Sequence, residues 1–409
     1  MGQGHSRENL LQQVFSAFLL QKKNIGASLL FFLYNKNSIM LNVGRCGYIR
    51  STKYFKIDGM KYGESKMINI KILQALKGDC IIVSYGMEEI HHILIDGGPG
   101  RPCFRQLCRC VDDIKKAGEK IDLLILTHID SDHIDGILRL LSNECFDFSM
   151  IKEMWFDFGE GLQNLLGIGS KEQKIGLYNK GTEISWKQGM DVEAKVKESG
   201  IKTRVVEKLE RISVGDADIT ILSPSREVLR KFAEQNEEKE KSITQIAYSN
   251  DYHRSIFELN QKEPEKEVSL TNKSSIACLF EFNGQGILLL GDADADEVAD
   301  ALTGLGYSKD NKLKVNYCKI AHHASKHNTT NELIQMLDCS NYIISTQQTT
   351  QGRPSKECLS RIVCNSEKPI TFYCNYELNY NKTFTKEEFL KYKMKFVVLE
   401  ETGIDVGEK

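Results

Sequence analysis

From Met67 onward the chain alternates short apolar runs with turn residues, whereas the 66 residues before it lack that punctuation. Residues 68–73, 80–85 and 92–95 read as a meander of buried strands closing on Asp96-Gly97-Gly98-Pro99-Gly100. A helix is predicted around 104–117. Residues 121–126 are continuously apolar, the pattern of a strand buried on both faces. That run passes straight into Thr127-His128-Ile129-Asp130-Ser131-Asp132-His133, and helical spacing resumes over 134–141, so the polar cluster falls on a strand-to-helix turn. Paired strands are predicted within 205–222, ending at Ser223-Pro224-Ser225 and followed by a helix through Arg230. Residues 234–273 turn polar and charged and read as a solvated insertion. A second strand series, 275–282 and 286–290, ends at Gly291-Asp292 and precedes a helix over 295–302. Strand 315–321 then ends in His322-His323, and 341–345 forms another strand. The chain thus has two successive strand-rich halves whose strands end in metal-binding residue types. No solenoid repeat is present.

With 409 residues, 41% hydrophobic and 27% charged, the sequence can bury a large core. The predicted organisation is one domain over 67–409 with an appendage, 1–66, to which no role is assigned. A net charge of −2 gives no whole-chain attraction to nucleic acid or anionic membrane, and it leaves a phosphodiester substrate undecided. The apolar stretch 27–34 falls far short of the ~20 residues of a membrane span, so none is predicted. Arg7, Glu8 and the lack of a small-residue cleavage pattern argue against a signal peptide. The 12 cysteines lie mostly in apolar runs such as Cys278-Leu279-Phe280 and read as reduced thiols, which points to a cytoplasmic protein. Cys103, Cys108 and Cys110 lack the second matching pair of a zinc ribbon.

His128, Asp130, Asp132 and His133 put two imidazoles and two carboxylates within six residues, ligands suited to zinc, manganese or iron rather than calcium. His128 and Asp130 share a direction by the period of two, while Asp132 and His133 lie around the bend. One loop can therefore serve two neighbouring cations. A helix cap accounts for one aspartate and not for four ligand-type residues. Gly291-Asp292 alone is common turn chemistry. Joined by His322-His323, the three strand ends form a constellation.

The segment Thr127 to Gly136 resembles the HxHxDH signature of the metallo-β-lactamase superfamily in an HxDxDH form. Together with Leu94-Ile95-Asp96-Gly97-Gly98, Leu289-Leu290-Gly291-Asp292-Ala293 and Lys319-Ile320-Ala321-His322-His323-Ala324-Ser325, it resembles the hydrolase domain of ComEC-type DNA-uptake proteins and their stand-alone relatives, over about 67–362. The resemblance implies an α/β fold, the four-layer αββα sandwich, with a dinuclear site at one edge. It implies two divalent cations, zinc with manganese as the alternative. His128 and Asp130 would hold the first, Asp132 and His133 the second, with Asp292 bridging and His322 completing the second site. His323 is the other choice for that role, and Asp96 would orient the ligand loop.

The sequence departs from the family in three places. No histidine between Asp132 and Asp292 matches the third ligand of the first cation, His253 lying in the charged loop. His323-Ala324-Ser325 replaces histidine-glycine-serine, and Arg353-Pro354 stands where many relatives have histidine-proline. Arg353 could hold a phosphate.

The function implied is hydrolysis of a phosphodiester, in nucleic acid or a nucleotide, through a metal-activated water, with Asp132 handling the proton and Lys326 assisting at the phosphate. Two other readings stay open. One is hydrolysis of a neutral ester, lactone or amide in a small-molecule substrate. The other is a non-catalytic, metal-stabilised regulatory protein that binds a protein partner through its N-terminal segment.

Overall fold

The computed structural model describes residues 28–35, 38–45, 48–56 and 67–407, apart from 169–179, 235–249, 264–267, 349–351 and 402. The chain divides into two compact units, Met1–Ser65 and Lys66–Lys409. In the first, Ser28–Asn35, Ser38–Arg45 and Tyr48–Lys56 form a three-stranded antiparallel sheet in chain order. The sequence reading assigned no element there. Lys36-Asn37 and Cys46-Gly47, which separate the strands, carry weak turn signals, and the apolar run 27–34 is largely the first strand.

The second unit is built on two sheets. The seven-stranded sheet runs in space Ile404–Val406, Met67–Ile72, Ile81–Gly86, Ile90–Ile95, Ile121–Leu126, Ile151–Phe156, Lys202–Arg204. Its pairings are antiparallel up to Ile90–Ile95 and parallel beyond. The eight-stranded sheet runs Arg211–Val214, Ala217–Ser223, Ala277–Phe282, Gln285–Leu289, Tyr317–Lys319, Asn341–Ile344, Ile370–Cys374, Met394–Val398. It too begins antiparallel and becomes parallel after Gln285–Leu289.

Three buried apolar clusters define four layers. Ile68, Ile70, Val83, Ile93, Leu123 and Trp155 of the first sheet meet Ile219, Phe280, Ile287 and Ile343 of the second. Alternate residues of the first sheet, Leu94, Leu124, Leu126 and Met154, point the other way onto helices Gly100–Lys116, Ser131–Leu141 and Lys180–Ser199. The second sheet's outer face, including Leu279, Leu288, Tyr342 and Phe372, carries Ala295–Gly304, Asn331–Gln335 and Lys356–Cys364. The result is an αββα sandwich. The continuous apolar run 121–126 follows directly, since a strand covered on both faces needs apolar side chains at every position. Helices Gly100–Lys116 and Ser131–Leu141 begin within a few residues of their predicted starts, and the predicted strand 315–321 is shortened to Tyr317–Lys319, followed by a 3-10 turn at Ala321–His323.

Several elements had no counterpart in the sequence reading: Ile151–Phe156, Gly159–Leu166, Lys180–Ser199, and everything from Lys356–Cys364 to Ile404–Val406. The predicted insertion 234–273 lies partly outside the described residues; its described part holds the short helices Ile256–Asn260 and Leu270–Lys273. Among the described residues no helix is long and apolar enough to cross a membrane, and the described cysteines are free thiols.

Candidate metal centre

The parallel strands of both sheets deliver their carboxyl ends to one edge of the sandwich, where ligands gather in α/β proteins. Asp96 follows Ile90–Ile95, His128 follows Ile121–Leu126, Asp292 follows Gln285–Leu289, and His322 and His323 follow Tyr317–Lys319. The halves are tied at this edge by Ile276 N–H donating to Thr127 O at 2.9 Å. Gly291 turns the chain into Asp292 at φ 49°, where an added Cβ would lie 2.6 Å from Ser275 Oγ. That same oxygen accepts from Asp292 N at 3.0 Å.

Asp292 is the hub. Its Oδ2 lies 3.4 Å from His133 Nε2, 3.6 Å from His322 Nε2 and 3.9 Å from His128 Nε2, while its Oδ1 lies 3.7 Å from His323 Nε2. Asp130 Oδ2 is 3.6 Å from His128 Nε2. A donor oxygen or nitrogen of Asp132, His133 and His323 falls within one 4.8 Å cluster. These separations are long for hydrogen bonds.

The outward ring nitrogens explain why. His133 Nδ1 donates to Asp96 Oδ2 at 2.7 Å, and His323 Nδ1 donates to Ser345 O at 2.9 Å. Thr127 Oγ1 gives its proton to Asp96 Oδ2 at 2.7 Å and so accepts from His128 Nδ1 at 3.0 Å. Asn328 Nδ2 donates to the carbonyls of Asp292 and Ala293, which turns its Oδ1 toward His322 Nδ1, 2.8 Å away. In its neutral form each of the four imidazoles thus carries its proton on Nδ1 and presents a bare Nε2 to a carboxylate that can only accept. The buried His128, His133 and His323 Nε2 atoms and Asp292 Oδ1 have no hydrogen-bond partner. Buried acceptors facing acceptors call for a cation between them, and nitrogen and carboxylate donors fit zinc or manganese. The residues therefore fit a divalent metal centre, with outer partners of the kind that orient metal-binding histidines.

Protonation is the other way to satisfy such a cluster, and it does not serve the tandem pair. Burial pushes His322 down to about 4 and His323 well below the ordinary imidazole value, against the opposing pull of Asp292. His133 differs: burial would lower it, but Asp292 and Asp96 prevail and raise it. Burial works to raise Asp292, yet His322, His133 and His323 hold it well below the carboxylate range. Asp130 is likewise lowered, burial being outweighed by His128 and His133, whereas burial together with Asp292 and Asp130 raises Asp132 despite His133.

The structure brings together His128, Asp130, Asp132, His133, Asp292, His322 and His323, with Asp96 behind His133 and Thr127. Asp130 stands at the N-terminus of Ser131–Leu141, but its side chain makes no capping bond. Arg353 is half-buried, and its charge helps to depress His322. Lys326 sits on the turn Lys326–Asn328, its carbonyl accepting from Arg361 Nη1 at 2.6 Å. His253 is exposed.

Sequence reasoning missed Asp79, Asn328 and Ser345. Asp79 Oδ1 lies 3.7 Å from His323 Nδ1, and its Oδ2 accepts from Lys319, which also donates to Gly291 O at 3.1 Å. The one available signal was Lys319 itself, a lysine in a strand otherwise reading as buried.

No family model matches the chain, and no curated protein matches its sequence. Among solved structures it is similar to a protein of Parabacteroides distasonis ATCC 8503 described as a metal-dependent hydrolase, at 11% identity over 85% of this chain and 98% of that one, TM-score 0.32. It is similar to the metallo-β-lactamase fold protein YhfI of Bacillus subtilis, at 9% identity over 83% and 98%, TM-score 0.36. It is also similar to CmlA, a diiron β-hydroxylase of Streptomyces venezuelae, at 11% identity over 76% and 50%, TM-score 0.35. These likenesses are too distant in sequence and in superposition to carry any one activity to this chain.

Proposed function

We propose that the chain is a metal-dependent hydrolase, holding two divalent cations through His128, Asp130, Asp132, His133, Asp292 and the His322-His323 pair, and that its substrate is a phosphodiester. The observation that carries the reading is the ring of bare Nε2 atoms about Asp292. Divalent cations held there would lower the pKa of water and offset charge on a scissile phosphate. Asp96 fixes His133 and Thr127, and through Thr127 the ring of His128, so the donors need no rearrangement before binding. Asp132, the half-buried carboxyl of the same loop, would exchange a proton with the reacting water. Arg353, whose charge reaches His322, supplies a planar cation suited to phosphate oxygens, and Lys326 is close in sequence on the turn after the histidine pair.

The test is metal content of the purified full chain, followed by hydrolysis of bis(p-nitrophenyl) phosphate with added zinc or manganese, beside Asp132→Ala. Two metals per chain with activity lost in the variant supports the reading. Bound metal with no phosphodiester turnover moves the substrate to an ester, lactone or amide. Failure to bind either metal overturns the proposal and leaves a partner-binding sandwich.

A further inference from the structure

We propose that the tandem histidines are divided between the two cations: His322 joins His128, Asp130 and Asp292 at the first, while His323 joins Asp132, His133 and Asp292 at the second. The inference rests on the metal-dependent reading above and specifies its ligand sets.

Counting donors gives the problem. The only histidine between His133 and His322 is His253, and it is exposed. The first cation would have His128, Asp130 and Asp292 and no further imidazole. His322 meets that deficit. Its Nε2 is 3.6 Å from Asp292 Oδ2, the oxygen that His128 and His133 also approach at 3.9 and 3.4 Å, whereas His323 Nε2 is 3.7 Å from Oδ1, so the two neighbours address different oxygens of the bridging carboxylate. The His133 and His323 rings lie 5.3 Å apart, and their nitrogens share the 4.8 Å cluster with an Asp132 oxygen.

Adjacent residues on an ordinary strand point to opposite faces, and on a helix they diverge by about 100°. Here the backbone takes a third course. His322, His323 and Ala324 have φ values of 47°, 57° and 62°, three successive left-handed residues without a glycine. Such residues are strained and persist where the surroundings hold them. The outcome is that two neighbouring rings, 5.9 Å apart and inclined at 71°, direct their Nε2 atoms to different oxygens of one carboxylate. Each ring has its own acceptor behind it: Asn328 Oδ1 for His322, and Ser345 O for His323. A histidine that merely lined the pocket would have no need of a dedicated amide whose own orientation is fixed by two carbonyls.

The experiment uses the full-length chain stripped by chelator and titrated with cobalt(II) alone, reading stoichiometry by elemental analysis and coordination by visible absorption. Asparagine is the substitution of choice because it tolerates the left-handed backbone, and circular dichroism checks folding. Wild type is expected to take up two cobalt ions. His322→Asn and His323→Asn should each retain one, with different spectra. Pairing His322→Asn with Asp130→Ala should still leave one, because both remove the same ion, whereas His322→Asn with His323→Asn should leave none. Retention of two ions with an unchanged spectrum in His322→Asn overturns the assignment. A wild type that binds a single ion overturns it too while sparing the metal-dependent reading, and a wild type that binds none removes both.

Discussion

Asp79 and Lys319 face each other at 2% and 1% side-chain exposure directly beneath the histidine pair, joining the turn before Ile81–Gly86 to the strand that carries His322 and His323. Removing one partner leaves the other as a buried, uncompensated charge, at a cost of about 3 to 5 kcal/mol. Asp79→Ala should therefore lower the melting temperature sharply, while Asp79→Leu combined with Lys319→Met should recover most of the loss. A double variant as unstable as the single one would show that the pair contributes more than mutual neutralisation. Asp157 makes a different test. Burial raises its carboxyl well above the ordinary value, and only its Oδ1 is used, accepting from Val206 N at 2.8 Å. A carboxyl raised on folding contributes stability that is fully present below the unfolded value and lost as pH rises through the folded one. Asp157→Asn should match wild type below about pH 4, the unfolded carboxyl value, and gain on it as pH approaches neutrality. Denaturant melts across that range check it, and a constant difference would count against the assignment. These residues also mark a limit of reading a sequence: Gly78-Asp79-Cys80 looks like any turn, because nothing local records that a lysine 240 positions away needs its carboxylate.

At the scale of elements, the helix Ser131–Leu141 is pressed against the Asp96-Gly97-Gly98 turn without side chains between them. Gly97 N donates to His133 O at 2.8 Å, and Gly136 N to Gly98 O at 2.9 Å. A Cβ on Gly136 would sit 1.9 Å from Gly97 O. Gly136→Ala should thus push the helix off the turn, break the His133–Asp96 contact and reduce metal uptake, even though alanine favours helices by about 1 kcal/mol. Elemental analysis and thermal melts read both effects; full occupancy would refute the packing argument. The strand-to-helix loops were legible because doubly covered strands are continuously apolar and their polar ends stand out. Ile151–Phe156, reading Ile-Lys-Glu-Met-Trp-Phe, was not, since its first half is polar and partly open to solvent. Which of His322 and His323 faces inward could not be read from the sequence either, because a strand pattern allows one of the two, and the left-handed run admits both.

Over the whole molecule, each half of the sandwich supplies part of the cluster: His128, Asp130, Asp132 and His133 from the seven-stranded sheet, Asp292, His322 and His323 from the other. Ions bound across that seam would act on the two sheets together. Chelation should lower the melting temperature of the holoprotein, by an amount equivalent to about 2.7 kcal/mol where the free ion stood at 100 times its dissociation constant. Unfolding that ignores the chelator would speak against a bridging site. The order of the strands in the gene is a separate matter from their order in space. Ile404–Val406 pairs antiparallel with Met67–Ile72, placing Val406 opposite Ile68 although 338 positions separate them. The sandwich is consequently almost a closed ring of chain. A circular permutant in which a short linker runs from Gly407 to Met67, with new termini opened in the exposed turn around Asp310, would keep every strand neighbour. In such a molecule His322 and His323 would precede the His128 loop in synthesis, the reverse of their natural order, without any change in the space they share.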